Sequence, residues 1–494
     1  MTTTDALVTD ALATDALADD KFHDECGVFG IYGDSDGAAH AALGLHALQH
    51  RGQEAAGIVT FDGKQFHAHR DVGQVGDIFG RPSVMERLAG HMAIGHTRYS
   101  TTGESALRNV QPLFADLDLG GLALAHNGNL TNARQLRQGL VKQGSIFQST
   151  SDTEVVIHLT ATARSGSLID RLITGLRQIQ GAYSLVAMTE SCIIGLRDPL
   201  GVRPLVLGRV GDALIVTSET CALDIIGAQF IRDVEPGELI VLDAAGIHSL
   251  RPFPPARSRG CIFEYIYFAR PDSVMEGTSI YQARKRIGRE LSHESHVPAD
   301  VVVPVPDSGV PAAIGYAEKS QLPFELGIIR NHYVGRTFIE PGQQIRHLGV
   351  KLKHNANPGV LAGKRVVLVD DSIVRGTTSV KIVELVRSAG ATEVHLRIAA
   401  PPTAYPCFYG INTPSQEELL ASQMDVAQMA QHIGVDSLAF ISTDGLYRAM
   451  GEANRSDEHP QYCDACFTGD YPIPLTDREG GDTAVQLSLL TELA

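Results

Sequence analysis

The chain has 494 residues, of which 44% are hydrophobic and 20% charged, and its formal net charge is −16. That length exceeds what one hydrophobic core supports and implies two large domains. The acidic balance argues against a face for non-specific nucleic-acid binding, and the lack of any apolar run of 18 residues argues against a membrane-spanning helix.

Residues 1–25 are acidic and carry near-copies of one motif, Thr4-Asp5-Ala6-Leu7, Thr9-Asp10-Ala11-Leu12 and Thr14-Asp15-Ala16-Leu17. A secretory signal opens basic and contains an apolar stretch, and this segment does neither. It reads either as a solubilising tail or as a pro-segment cut after Glu25, and Cys26 favours the second. From 26 to about 250 the pattern is of short strands with few long helices. Strands are expected at Cys26–Tyr32, Leu122–Ala125, Ser184–Met188, Leu214–Thr217 and Leu239–Leu242. Helices are expected at Ala38–Gln49, Asn132–Gln143, Thr153–Ala163 and Leu168–Gln178. Arg251-Pro252-Phe253-Pro254-Pro255 reads as a linker, because proline disfavours both helix and strand.

Beyond the linker the rhythm changes. Val301–Val303, Val366–Val369 and Val394–Ala399 are apolar, mostly β-branched runs, as buried parallel strands are. With a helix at Val380–Ser388 they predict an α/β domain whose ligand site lies at the strand C-termini. Residues 335–357 read as a long mobile loop, of a length that is functional or disordered, and 415–432 as helical, with the last 25 or so peripheral. The cysteines, Cys26, Cys192, Cys221, Cys261, Cys407, Cys463 and Cys466, are odd in number and follow no secretory signal, so a reducing cytoplasm is expected.

The strand Val366–Val369 ends in Asp370-Asp371-Ser372-Ile373-Val374-Arg375-Gly376-Thr377-Thr378. Backbone N–H groups at such a loop and helix start cradle an anion, and Thr377 and Thr378 add hydroxyl donors. The paired carboxylates repel a bare phosphate but suit ribose hydroxyls or a Mg²⁺ bridging to pyrophosphate. Ser308, in Pro304-Val305-Pro306-Asp307-Ser308-Gly309, stands after the neighbouring strand as a candidate wall near metal and diphosphate. Arg336, Arg346, Lys351 and Lys353 could close over the pyrophosphate and exclude water. The whole string resembles the phosphoribosyl-pyrophosphate (PRPP) loop of type I phosphoribosyltransferases.

Were the chain cut after Glu25, the free α-amino group of Cys26, with a pKa of roughly 7.7–8.0, could take the thiol proton, so that one residue supplies nucleophile and base. Arg98, in Gly95-His96-Thr97-Arg98-Tyr99, can bind a carboxylate bidentately. Asn127 and Gly128, in Ala125-His126-Asn127-Gly128-Asn129 after an apolar strand, offer an amide and an N–H to an oxyanion. Asp152 offers a carboxylate to an α-ammonium, though it is also a natural helix N-cap. In this order the segments resemble the class II glutamine amidotransferase domain, an Ntn hydrolase. The resemblance implies a four-layer αββα sandwich, with Cys26 attacking glutamine, Asn127 and Gly128 holding the oxyanion, and Arg98 and Asp152 holding the glutamate part.

The two domain types in succession resemble the amidophosphoribosyltransferase family. So do His50-Arg51-Gly52-Gln53-Glu54, Phe263-Glu264-Tyr265 through Ser273, and Gly335-Arg336-Thr337. The resemblance implies a pro-segment at 1–25, a glutaminase domain at 26–255, a phosphoribosyltransferase domain at 256–470 and a tail at 471–494. It further implies glutamine and PRPP as substrates, Mg²⁺, a homotetramer, an ammonia channel and inhibition by purine nucleotides, with Arg330 a candidate nucleotide contact. Four thiolates, Cys261, Cys407 and the Cys463-Asp464-Ala465-Cys466 pair, suit zinc or an iron–sulfur cluster on spacing alone. One branch of the family fills these positions with a 4Fe-4S cluster. Cys192 and Cys221 are assigned to the core. A glucosamine-phosphate synthase would lack the Asp370-Asp371 loop, and a non-catalytic nucleotide sensor would not need Cys26.

Overall fold

The computed structural model describes residues 26–99, 107–331 and 354–479. The pro-segment and the loop cations Arg336, Arg346, Lys351 and Lys353 lie outside the described residues. The chain forms two compact units, one running to Arg284 and including Cys407–Asn412 and the segment from Glu452, the other comprising Lys285–Pro406 and Thr413–Gly451.

The first unit stacks two antiparallel sheets. Strands β1 (Gly27–Tyr32), β2 (Ala55–Phe61), β3 (Phe66–Val72), β4 (Met92–Arg98), β5 (Leu113–Leu117), β6 (Gly120–Leu130), β7 (Gly181–Met188), β8 (Ile193–Arg197), β9 (Val206–Val210), β10 (Ala213–Thr217), β11 (Gln229–Asp233), β12 (Leu239–Asp243) and β13 (Gly246–Leu250) build it. The sheet orders are β11-β9-β10-β1-β4-β2-β3 and β13-β12-β8-β7-β6-β5. Val28, Ile94, Ala125, Val186 and Val216 pack in the layer between them. Helix α1 (Gly37–Ala47) covers the outer face of the first sheet through Ala41 and Leu45. Helices α2 (Ala133–Lys142), α3 (Thr153–Thr162) and α4 (Leu168–Leu176) cover the second through Leu140, Val155, Leu159 and Leu172. This is the αββα sandwich expected.

The second unit carries one parallel sheet. Strand β14 (Val301–Pro304) pairs with β15 (Arg365–Asp370), β15 with β16 (Glu393–Ile398), and β16 with β17 (Ser437–Phe440). Val366 to Val369 are buried on both faces, as their unbroken apolar run demands. Helix α5 (Ile280–Ser295) spans the division between units, and α6 (Val310–Ser320), α7 (Thr377–Ser388) and α8 (Val426–Ile433) belong to the second.

Three expectations need correction. The helical reading of 415–432 breaks into Gln416–Glu418, Leu420–Gln423 and α8. Ser415 with Glu418 and Asp425 with Gln428 each form a capping box, and each box starts a new helix. The unit boundary does not fall at the proline-rich segment 251–255. There Phe253 packs on the core and the Pro252 carbonyl accepts from Arg177 Nε, while Gly260–Cys261 pairs in parallel with Tyr462–Cys463 of the same unit. The C-terminal segment is docked as far as 479: Asp477 takes the Arg134 and Gln135 N–H groups at 2.8 and 3.0 Å, capping α2 from 342 residues away.

The first unit is tied by buried ions. The Arg51 guanidinium, 1% exposed, pairs with Glu219 through Nε and with Glu264 at 2.6 Å. Glu219 also accepts from Ser273 Oγ at 2.6 Å and from the Arg270 N–H at 2.9 Å, and meets His50 at 2.7 Å. Glu264 also meets Arg203 at 3.4 Å. Burial alone would raise the Glu219 carboxyl, but Arg51 and His50 hold it well below the usual range. Such a group stabilises the fold above its unfolded pKa, about 4.3, and the contribution is lost as pH falls through the folded value. Arg51→Leu leaves two buried carboxylates without their cation and is expected to cost about 3–5 kcal/mol near neutrality. In the variant these carboxyls bind protons in the folded state. The deficit against wild type in urea unfolding should therefore shrink from pH 8 to pH 5, and a deficit independent of pH would contradict the account.

Candidate active site

Cys26 stands at the mouth of β1, where the chain is held from both sides. The Gly27 N–H donates to Thr97 Oγ1 at 3.2 Å and the Val28 N–H to Ser218 Oγ at 3.0 Å, while Thr217 Oγ1 donates to the Val28 carbonyl at 3.1 Å. The Cys26 thiol is buried and donates to the Tyr99 carbonyl at 3.6 Å. Burial pushes it up to about 11, against the pull of the Tyr99 hydrogen bond and the Arg98 charge, and Asp152 and Glu54 push it further. Arg98 and Asp152 therefore both lie within electrostatic reach of the Cys26 thiol.

Asp152 holds the N-cap position of α3 but makes no side-chain capping bond. Its carboxylate turns inward, accepting from the Leu130 N–H at 2.9 Å and facing His126 Nδ1 at 3.7 Å. Burial would raise it, yet His126 and these backbone donors hold it below the usual carboxylate range. His126 is in turn bound across the sandwich: His96 Nε2 meets its backbone carbonyl at 3.0 Å. Burial pushes His96 down to about 3, so it is neutral and Nε2 carries the donating hydrogen.

Asn127 and Gly128 do not follow the strand as the sequence suggested. They are inside β6, opposite Ser184 and Tyr183. Asn127 is fully buried, and neither its Nδ2 nor its Oδ1 has a hydrogen-bond partner among the described residues. Buried amides are ordinarily satisfied, so this one stands out among the described residues as open to a further partner. Gly128 has φ +136°, and a Cβ there would stand 2.0 Å from the Ala182 carbonyl oxygen. No other residue fits.

In the second unit, β15 ends in Asp370 and Asp371, both buried, and the loop runs to Gly376 at the N-cap of α7. Ser372 Oγ donates to Asp371 Oδ1 at 2.7 Å, and the Asp371 N–H to Asp370 Oδ1 at 2.9 Å. The Val374 carbonyl accepts from the Leu420 N–H at 2.8 Å, which braces the loop. Thr377 and Thr378 occupy the first turn of α7, one exposed and one half-buried. Arg375 is ion-paired with Glu418 at 3.0 Å, and Arg330 with Asp307 at 2.5 Å. Ser308 is half-buried in the turn between β14 and α6.

The remaining candidates are the thiols. Cys261 and Cys463 are direct partners on their parallel strands, and Cys466 follows one helical turn later. Cys407 Sγ accepts from the Tyr409 N–H at 3.4 Å. Burial raises Cys261 to about 11 and holds Cys463 and Cys466 well above the ordinary thiol value, and each also feels the charge of its neighbours in the set. The fully buried Arg203 cation acts on Cys261, Cys407 and Cys463. As they stand, no three His, Cys, Asp or Glu side chains among the described residues are gathered closely enough to hold a metal ion. Cys192 and Cys221 are core residues, as expected.

Residues 96–224 match a glutamine amidotransferase domain model and residues 276–403 a phosphoribosyl transferase domain model. An amidophosphoribosyltransferase of Rhizobium etli is 60% identical over 474 residues, 95% of this chain and 96% of its own length. A structure described as the allosteric regulatory enzyme of purine biosynthesis superimposes with TM-score 0.87 at 50% identity, covering 91% of this chain and 97% of its own. The glutamine PRPP amidotransferase of B. subtilis, complexed with ADP and GMP, gives TM-score 0.86 at 50% identity, covering 91% and 98%.

The chain belongs to the amidophosphoribosyltransferase family. It is thus a pentosyltransferase with a glutamine amidotransferase domain. In this member of the family, sequence reasoning assigned no role to His96, Thr97, His126 or Ser218. The first three lay in quoted strings, but their partners are on other strands. Ser218 had no local signal at all. Asn127→Ala, which removes an amide unpartnered among the described residues without adding bulk, is expected to leave Tm near wild type. It should lower glutaminase kcat by about 10²-fold, the effect of losing one oxyanion donor. Calorimetry and glutamate release check both, and a large loss of Tm would show that the amide is structural.

Proposed function

We propose that this chain makes 5-phosphoribosylamine, glutamate and pyrophosphate from glutamine, PRPP and water, the first step of de novo purine synthesis. The observation that carries this reading is the gathering of Arg98 and Asp152 about the buried Cys26 thiol, with the Asn127 amide, unpartnered among the described residues, next to His126 in the strand.

Cleavage after Glu25 would free the Cys26 amine. A thiol raised to about 11 ionises little at neutral pH, so it needs a base at hand. The amine, with a pKa near 7.7–8.0, can take that proton. The sulfur then attacks the carboxamide carbon, and the charge on oxygen falls to Asn127 and the Gly128 N–H. Arg98 and Asp152 take the substrate carboxylate and ammonium. The C–N bond breaks and ammonia leaves with the proton from the amine. Water hydrolyses the thioester to glutamate and restores the thiol.

In the other unit the same ammonia attacks the ribosyl carbon as pyrophosphate departs, and then loses a proton. Ammonia made and consumed within the protein remains unprotonated, whereas in bulk water at pH 7 it would be mostly ammonium. Asp370 and Asp371 suit the ribose hydroxyls, Ser372, Gly376, Thr377 and Thr378 the 5-phosphate, and Arg375, Arg336 and Lys351 the anionic groups around it. Asp370, Asp371 and Ser308 offer hard oxygen donors that would hold Mg²⁺, which neutralises the leaving diphosphate. Regulation by purine nucleotides fits the relative solved with ADP and GMP, and a homotetramer is what the family resemblance implies.

Cys261, Cys407, Cys463 and Cys466 would hold a 4Fe-4S cluster. Supporting this are an all-sulfur donor set, mutual electrostatic contact, and the buried Arg203 cation offsetting thiolate charge. The cluster would supply structural cross-linking and oxygen sensitivity.

Three measurements test the reading. In Cys26→Ala, glutamine-dependent synthesis should vanish while ammonia-dependent synthesis survives; Asp370→Asn with Asp371→Asn should lose both. Glutamine use retained by Cys26→Ala would reject the nucleophile. Glutaminase kcat/KM should also fall as pH drops below about 8, because the protonated amine is no base. Protein purified without oxygen should contain about four iron atoms and four sulfides per chain, the content of one such cluster. Stoichiometric zinc without iron would overturn the cluster assignment.

A further inference from the structure

We infer that the loop Cys407–Gly410 sets the oxyanion strand of the glutamine site, with Asn129 and Gly410 as positioning residues. The inference rests on the glutaminase reading of Cys26, Asn127 and Gly128.

The chain leaves the phosphoribosyl unit after Pro406, enters the glutaminase unit for Cys407–Asn412 and returns at Thr413. Within that short excursion nearly every group is committed. Asn129, two residues beyond Asn127 on β6, donates from Nδ2 to the Phe408 carbonyl at 2.9 Å. Arg203 Nε donates to the Tyr409 carbonyl at 2.9 Å. Tyr409 Oη donates to the Ile473 carbonyl at 2.7 Å and accepts from the Ile473 N–H at 3.0 Å. The Tyr409 N–H points to Cys407 Sγ. The loop is therefore fixed before it meets the strand.

It meets the strand at Gly128. Gly410 has φ +116°, and a Cβ there would stand 2.9 Å from Gly128 Cα and 3.1 Å from its carbonyl carbon. Gly128 is thus bounded by the Ala182 carbonyl through the sheet ladder and by the Gly410 backbone from the loop. Its amide is the candidate oxyanion donor. A donor contributes most when its direction is set before charge develops, so that nothing reorganises in the transition state. Two glycine backbones in contact, one of them anchored by Arg203 and Tyr409, give that rigidity. A loop that merely connected the two units would need neither the Asn129 bond nor a glycine at 410.

The experiment uses the mature full-length enzyme and two substitutions. Gly410→Ala pushes directly on the Gly128 backbone. Asn129→Asp keeps the shape but cannot donate to the Phe408 carbonyl. Each is expected to lower glutaminase kcat by about tenfold or more, as displacing an oxyanion donor does, while KM for glutamine stays near wild type. Ammonia-dependent synthesis and iron content should be unchanged. Wild-type kcat in both variants would overturn the inference. So would a parallel fall in ammonia-dependent synthesis or iron, which marks a merely structural loop. Cys26→Ala in the same assays separates the two failures, because it tests the nucleophile without touching the loop.

Discussion

The interaction on which the glutaminase unit depends is the enclosure of Arg51 between Glu219 and Glu264. All three side chains are 3% exposed or less, and Arg51 and Glu264 are 213 residues apart in sequence. Removing such charges from water costs several kcal/mol each unless the pairing is complete. Here completeness requires His50, Ser273, the Arg270 N–H and Arg203, so five separate stretches of chain must arrive together. Apolar packing would hold these segments as tightly but would tolerate slippage. A guanidinium between two carboxylates does not.

That enclosure is also what joins chemistry to scaffold. Glu264 lies three residues after Cys261, and it shares Arg203 with the thiols. Arg203 in turn holds the Tyr409 carbonyl, in the loop that carries Cys407 and touches β6 at Gly128. A chain of direct contacts thus runs from the ion pairs to the thiol set and on to the oxyanion strand. The residues 256–284 fold with the first unit for the same reason. Cut at the proline-rich segment, the unit would lose the partner of Arg51.

Much of this was legible in the sequence and some of it was not. The strand runs, the helix starts and the Asp370-Asp371 loop are local patterns, and they appear within a few residues of where periodicity puts them. Strand β4, which carries Arg98, escaped notice because His96, Thr97 and Arg98 interrupt its apolar run. They are buried all the same, because partners on other strands satisfy them: His96 meets the His126 carbonyl and Thr97 accepts from the Gly27 N–H. Glu219 and Asp477 gave no signal, because the groups they serve are on distant segments. Arg51 lay in a string that resembled the family, yet nothing local disclosed that it was a buried ion. Local rules reveal where the backbone goes; long-range charge pairing reveals only itself, once the fold has formed.

The electrostatics of the site follow from a single cause acting in opposite directions. Burial penalises every charge, so the Cys26 thiol rises to about 11 and His96 falls to about 3. Asp152 escapes only because His126 and backbone donors compensate it. Around the neutral thiol stand the Arg98 cation, the Asp152 and Glu54 carboxylates, and one amide, that of Asn127, uncommitted among the described residues. A neutral thiol in such a place cannot attack unless its proton has somewhere close to go. The neutral His96 is committed to the His126 carbonyl through its one N–H, and Asp152 already accepts from Leu130. In the mechanism proposed, that place is the amine which cleavage after Glu25 would create on Cys26 itself.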